Sequence, residues 1–271
     1  MKTILEFLSL ARVQPPLMAP LGALYVSLSL GLPLSGEPLR LALANWFFIQ
    51  LSFSADSAFA PKEDIFNNCS RLPAGPAAKA AFFIAMAAVS AYLSSMPGQW
   101  MLPASGLIVI ALYSLPVMGR YRLKNFFFAK TLISSFFFLW AIVLSPVILR
   151  YGFSSAVIYE ALSSGAIIVP ISMCLSVLFD IRDVKGDAAA GIRTIPVLIG
   201  ARPASFSIAA LAALLCFYAA LHGNAYAASF CFILALGGAF SAGKSRAYYE
   251  ACLLGLNLVS AAALVLKIAA R

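Results

Sequence analysis

Residues 155–200 read SAVIYEALSSGAIIVPISMCLSVLFDIRDVKGDAAAGIRTIPVLIG. The first part, 155–179, carries a single charged side chain, Glu160. It is long enough to cross a bilayer, which takes about 20 predominantly apolar residues. Directly after it, within one short segment, come Asp180, Asp183 and Asp187, interleaved with Arg182 and Lys185. An apolar span that ends in a charged helical extension is the pattern from which the rest of the chain can be read.

The same length test, carried outward, finds eight more apolar stretches: 15–34, 41–60, 77–95, 101–118, 127–149, 203–221, 224–242 and 248–266. The expected fold class is an all-α integral membrane protein with nine transmembrane helices. Composition agrees, since 62% of the 271 residues are apolar and only 11% are charged. A water-soluble domain has about 25% charged residues. That contrast excludes an ordinary soluble enzyme, a nucleic-acid-binding module and a disordered chain. The leader 1–14, with Lys2, Glu6 and Arg12, lacks the cleavage pattern of a signal peptide and is expected to lie along the membrane surface.

The 19 basic residues outnumber the 10 acids. With nine spans, 15 of the 19 fall on the side of the N-terminus. The other side holds Arg40, Arg150, Lys267 and Arg271. Basic segments stay cytoplasmic, which predicts an inner or plasma membrane protein with a cytoplasmic N-terminus and the C-terminus opposite. The net charge of +9 is therefore a topology signal and not a nucleic-acid footprint. The five cysteines form no CxxC pair, and four sit in apolar runs, so inert thiols are expected. His222, the single histidine, is expected in a loop at a helix end.

The acids are the informative minority. At about 100° per residue, Asp180, Asp183 and Asp187 fall at about 0°, −60° and −20°, on one helix face. Arg182 and Lys185 fall on the opposite face. Three carboxylates on one stripe repel each other unless a positive group lies between them. Mg²⁺, which takes a few carboxylate oxygens and shares its other positions with phosphates, is one solution. Pairing with nearby basic side chains at a polar helix end is the other.

Through Gly200 the segment reads D-I-R-D-V-K-G-D-x-x-x-G-I-R-T-x-P-V-x-x-G. It strongly resembles the second aspartate-rich motif of the UbiA-type intramembrane prenyltransferases. The resemblance extends in layout to the whole chain, with acidic clusters after spans 2 and 6. It implies one membrane domain over residues 1–271, with the helices around a central substrate cavity and the active site cytoplasmic. The first motif of that family is close to N-D-x-x-D-x-x-x-D, followed by a run like R-P-L-P-S-G. Here Asp56 holds the first Asp position and Glu63 the last. Ala55 replaces the Asn, Phe59 replaces the middle Asp, and the arginine is Arg71. Pro61 would kink or end a helix at this place.

A basic run follows span 4: Arg120, Arg122, Lys124 and Lys130. Two readings stand, a positive-inside signal alone or a grip on phosphate oxygens by Arg forks and Lys charge. Lys130 lies four residues into an apolar stretch, where snorkelling to the interface is its plain alternative. Phe136, Phe137, Phe138, Trp140, Trp46, Phe47 and Phe48 could line an isoprenoid channel or simply pack. Trp100 has the position of an interface anchor.

The resemblance implies Mg²⁺-dependent transfer of a polyprenyl group from a prenyl diphosphate to a small lipophilic acceptor. That acceptor would be an aromatic quinone or pigment precursor, or a glycerol-phosphate lipid. Asp180, Asp183, Asp187, Asp56 and Glu63 would hold two Mg²⁺ ions. Arg71, Arg120, Arg122, Lys124, Lys130 and Arg193 would bind diphosphate, and the three aspartates of the second motif with Lys130 would be catalytic. Rival readings are a UbiA-related terpene cyclase, an inactive lipid-binding relative and a transporter. Charges at span ends, and not at the midplane, argue against the transporter.

Overall fold

The computed structural model describes residues 14–59, 75–96, 98–114 and 122–271. Every regular element among them is helical. In chain order these are α1 Gln14–Ser29, α2 Glu37–Phe59, α3 Pro76–Leu93 and α4 Met101–Ser114. A 3₁₀ turn, Leu123–Asn125, precedes α5 Ala129–Leu139, which passes through a π turn, Trp140–Leu144, into α6 Ser145–Tyr151. Then come α7 Ser155–Ser164, α8 Ile168–Ala189, α9 Ile195–Ile199, α10 Ala201–Leu221, α11 Ala225–Ala239 and α12 Arg246–Ala269.

Helix occupies each of the nine apolar stretches, but the nine spans are met only in part. Ala129–Tyr151, Ala201–Leu221 and Arg246–Ala269 are long and apolar enough to cross a membrane. A fourth is added if Ser155–Ser163 and Ile168–Ala189 count as one broken span. Others are short: α11 has 15 residues, about 22 Å at 1.5 Å per residue, against a hydrocarbon core of about 30 Å.

The chain divides into two compact units, Met1–Leu123 with Trp140–Ser163, and Lys124–Leu139 with Ser164–Arg271. In the first unit α2 is the hub, packing on α1, α3, α4 and α6. Close approach depends on missing side chains. A Cβ at Gly106 would lie 1.9 Å from Phe48 Cζ, so α4 can pack on α2 only because that position is glycine. Two buried amides donate to helix carbonyls while their own oxygens, Asn45 Oδ1 and Gln99 Oε1, stay without a partner. Asn45 Nδ2 donates to the Ala141 carbonyl (2.9 Å) and Gln99 Nε2 to the Ser145 carbonyl (3.0 Å). Ala141 begins this need: a π register would send its carbonyl to residue 146, and Pro146 has no N–H. Arg40 Nη2 donates to the Tyr92 carbonyl and Ser95 Oγ, both at 2.6 Å, and so closes the C-terminal end of α3.

In the second unit α8 is the hub, packing on α5, α9, α10, α11 and α12. The α10–α11 seam is the most extensive, and it closes over Gly238. There a Cβ would meet Ile208 Cγ1 at 2.9 Å and the Ala209 backbone nitrogen at 3.2 Å. Ser205 and Ser241 both donate to the Gly238 carbonyl. Asn224 caps α11 by accepting from Ala227 N at 3.0 Å. His222 ends α10 with its ring against the Tyr218 carbonyl, as expected of a helix-end residue.

Candidate active site

The aspartates ride on the last turns of α8, and the sequence after them explains where that helix stops. Gly191 adopts φ 70°, which glycine reaches without a Cβ penalty. Gly191 N donates to the Ala188 carbonyl (3.1 Å) and Ile192 N to the Asp187 carbonyl (2.9 Å). This is a Schellman stop, and Ile192 is buried as its apolar lock. Thr194 then takes the N-cap position of α9, with Pro196 in the first turn. The G-I-R-T-x-P run is thus a helix stop and restart that fixes Asp187 one turn from the α8 end.

Opposite these acids stands the start of α5. Asn125 Nδ2 donates to the Ala190 carbonyl at 3.4 Å, tying the preceding turn to the end of α8. Phe128 sits in the left-handed region, φ 66°, and an aromatic residue there stores strain of about 1–2 kcal/mol. Two residues on, Lys130 Nζ lies 2.8 Å from Asp180 Oδ1, 2.9 Å from Asp187 Oδ2 and 3.1 Å from Asp187 Oδ1. Asp180 and Asp187 are buried, at 1% and 2% exposure. Ionised carboxylates so far from water need an adjacent positive charge and hydrogen bonds, and Lys130 supplies both.

Asp183 takes a different partner. Arg182 grips it with both ends of the guanidinium, Nε to Oδ1 and Nη2 to Oδ2, each 2.7 Å, while stacking 5.0 Å over the Phe179 ring. A helical wheel sets Arg182 on the far face; its long side chain curls back along the helix to its neighbour. The carboxylates therefore share a face but are divided between two cations. Among the described residues no three acids, cysteines or histidines converge to hold an ion as they stand. One oxygen of the set, Asp180 Oδ2, is buried without a hydrogen-bond partner.

The remaining candidates are placed as follows. Lys124 is fully buried in the 3₁₀ turn. Arg193 is exposed in the link after α8. Arg122 is half-buried at the end of the first unit's main segment. Asp56 falls in the last turn of α2, and its side chain lies outside the described residues, as do Glu63, Arg71 and Arg120 entirely. The aromatic set splits: Phe48 and Phe138 are buried, whereas Phe136 is more than half exposed. Arg182 and Asn125 were not singled out from sequence, since neither a wheel nor a spacing rule marks a side chain that reaches sideways.

A family model described as the UbiA prenyltransferase family matches residues 71–252, a range that contains every one of these second-unit groups. The chain belongs to the UbiA prenyltransferase family. No curated protein matches it. Among solved structures, a UbiA homolog from Archaeoglobus fulgidus bound to DMAPP and Mg²⁺ is 14% identical with a TM-score of 0.68. The alignment covers 97% of this chain and 98% of that one. The homolog bound to GPP and Mg²⁺ is 16% identical, with a TM-score of 0.69 and the same coverage. A structure of digeranylgeranylglyceryl phosphate synthase is 15% identical, with a TM-score of 0.56 over 99% of this chain and 98% of that one. At such identities the likeness is one of fold.

The residues present suit a hard divalent cation. All the donors are carboxylate oxygens on one helix face, which is the ligand type that Mg²⁺ takes. Asp180 Oδ2, already stripped of water and without a donor, is an acceptor in want of a cation.

Proposed function

We propose that this UbiA-family protein transfers a polyprenyl group from a prenyl diphosphate to a lipophilic acceptor within the membrane, and that it needs Mg²⁺. The acceptor would be an aromatic quinone or pigment precursor, or a glycerol-phosphate lipid. The observation that carries this reading is the buried Lys130–Asp180–Asp187 cluster inside the family-matched region. Buried charge of this kind is costly near lipid, and it marks a functional site.

Asp180, Asp183 and Asp187 would hold the cation, with Asp56 and Glu63 as the ligands of a second. When bound, Mg²⁺ supplies the charge that neutralises a leaving diphosphate. Lys130 donates to phosphate oxygens, with Lys124, Arg71, Arg120, Arg122 and Arg193 adding positive charge. Aromatic side chains exclude water from the allylic carbon and present ring faces to developing positive charge. The whole chain acts as one membrane domain, its N-terminus and active site on the cytoplasmic side of an inner or plasma membrane. The 15-to-4 division of basic residues supports that orientation.

The test uses detergent-purified protein with labelled prenyl diphosphates and a panel of acceptors. Mg²⁺-dependent diphosphate release with a prenylated acceptor is expected. Release that persists in EDTA, or in D183N/D187N, would overturn the reading. A second reading, cyclisation without an acceptor, is favoured by Ala55 and Phe59, which replace polar ligands of the first motif. Its signature is a hydrocarbon or alcohol product from the prenyl diphosphate alone.

A further inference from the structure

Lys130 stands in two roles that cannot be filled at once. Its ammonium contacts three carboxylate oxygens, Asp180 Oδ1, Asp187 Oδ1 and Asp187 Oδ2. An ammonium so engaged has no donor to spare for a phosphate. Arg182 covers both oxygens of Asp183, so Asp180 Oδ2 is the single oxygen of the three carboxylates without a partner. One oxygen does not make a divalent site on this helix. A cation that uses these aspartates has to displace a resident basic group.

We infer that Lys130 is an exchangeable internal counter-ion. It holds Asp180 and Asp187 in the metal-free protein, yields them to the divalent cation, and turns its freed ammonium to the diphosphate. This rests on the Mg²⁺-dependent reading above and adds to it a fixed order of partners.

The way each cation is held chooses Lys130 over Arg182 as the group that leaves. Exposure does not separate them, since the side chains of Lys130 and Arg182 are 21% and 17% exposed while those of Asp180 and Asp187 are 2% and 3%. Lys130 is a compact charge on a flexible four-carbon stem, while Arg182 is held by a two-point fork and by stacking on Phe179.

The experiment titrates Mn²⁺ into full-length detergent-purified protein and reads free Mn²⁺ by electron paramagnetic resonance. Wild type, K130Q, K130R and D180N/D187N are compared. K130Q is expected to bind Mn²⁺ about tenfold more tightly than wild type, because a competing positive charge is gone. K130R is expected to bind no tighter, and D180N/D187N to lose the site. A lysine that merely shaped the site would give weaker binding in K130Q, and that result, or no change, overturns the exchange while leaving the metal reading intact. No Asp-dependent Mn²⁺ binding in any form overturns the metal reading and the exchange together. A second measurement needs no variant. Acetylation of Lys130 in wild type, followed by mass spectrometry, should rise when Mn²⁺ replaces EDTA; unchanged labelling overturns the exchange.

Discussion

Both units pair neutral side chains with backbone carbonyls, and the second adds a cluster of a different style. In the first, neutral groups answer backbone carbonyls: Asn45 to Ala141, Gln99 to Ser145 and Ser90 to Ala44. In the second, the core of the site is made of ionisable groups, and side chains answer each other, Lys130 to Asp180 and Asp187. An amide that fills one carbonyl has nothing to trade, since the carbonyl stays wherever the helix puts it. An ammonium between carboxylates can be replaced by another cation with the charge still balanced. The neutral network is fitted for holding a helix break, and the charged one for changing partners.

The largest expected effect breaks the charged style. D180N/D187N should lower Mg²⁺-dependent diphosphate release per folded molecule by at least about hundredfold, the scale of losing a preorganised electrostatic group. Its counterpart in the first unit is N45L, which leaves the Ala141 carbonyl buried without a donor. That should cost about 1–3 kcal/mol in stability, read as a lower unfolding midpoint in detergent. Release per folded molecule should be unchanged. If N45L removed turnover and D180N/D187N did not, the division of labour would be reversed.

A smaller effect tests packing rather than polarity, with one glycine from each unit. In G106A the new methyl would meet the Phe48 ring at 1.9, 2.5 and 2.9 Å, and Phe48 is 1% exposed. Overpacking of that kind costs about 1–3 kcal/mol. In G238A the nearest atom is Ile208 Cγ1 at 2.9 Å. That overlap and the 3.2 Å approach to the Ala209 backbone nitrogen are both milder than the contact at Gly106, so the loss should be the lesser of the two. Thermal unfolding of both variants checks the order, and a larger loss in G238A would contradict it.

What could be read from sequence follows from what is local. The common face of Asp180, Asp183 and Asp187 is a consequence of helical period alone, and α8 carries all three as the period requires. Lys130 drew notice because a charge four residues into an apolar run needs a partner. Of the two alternatives for the acids, pairing with basic side chains is the one present in the structure, and it leaves Asp180 Oδ2 as an acceptor without a donor. Arg182 was misplaced by the wheel, which records where a side chain starts and not where it ends. The Asn45–Ala141 and Gln99–Ser145 contacts were illegible, since each joins residues far apart in sequence through a backbone carbonyl. Span count was only partly legible, because apolar length in sequence does not reveal where a helix stops, as α11 shows.

The smallest expected effect sharpens the comparison by holding charge constant and changing burial. Arg246 and Glu250 form an i,i+4 pair on α12, 3.5 Å apart, with side chains 44% and 38% exposed. This is the same chemistry as Lys130 with Asp187, placed where solvent already satisfies both partners. Exposed helical pairs of this kind contribute about 0.3–0.5 kcal/mol. E250Q should therefore shift the unfolding midpoint barely at all, and it should leave Mn²⁺ binding as in wild type. The pair differs from the Lys130 cluster in one physical respect, removal from water. A large loss in E250Q would mean that charge itself, and not its burial, sets the second unit apart from the first.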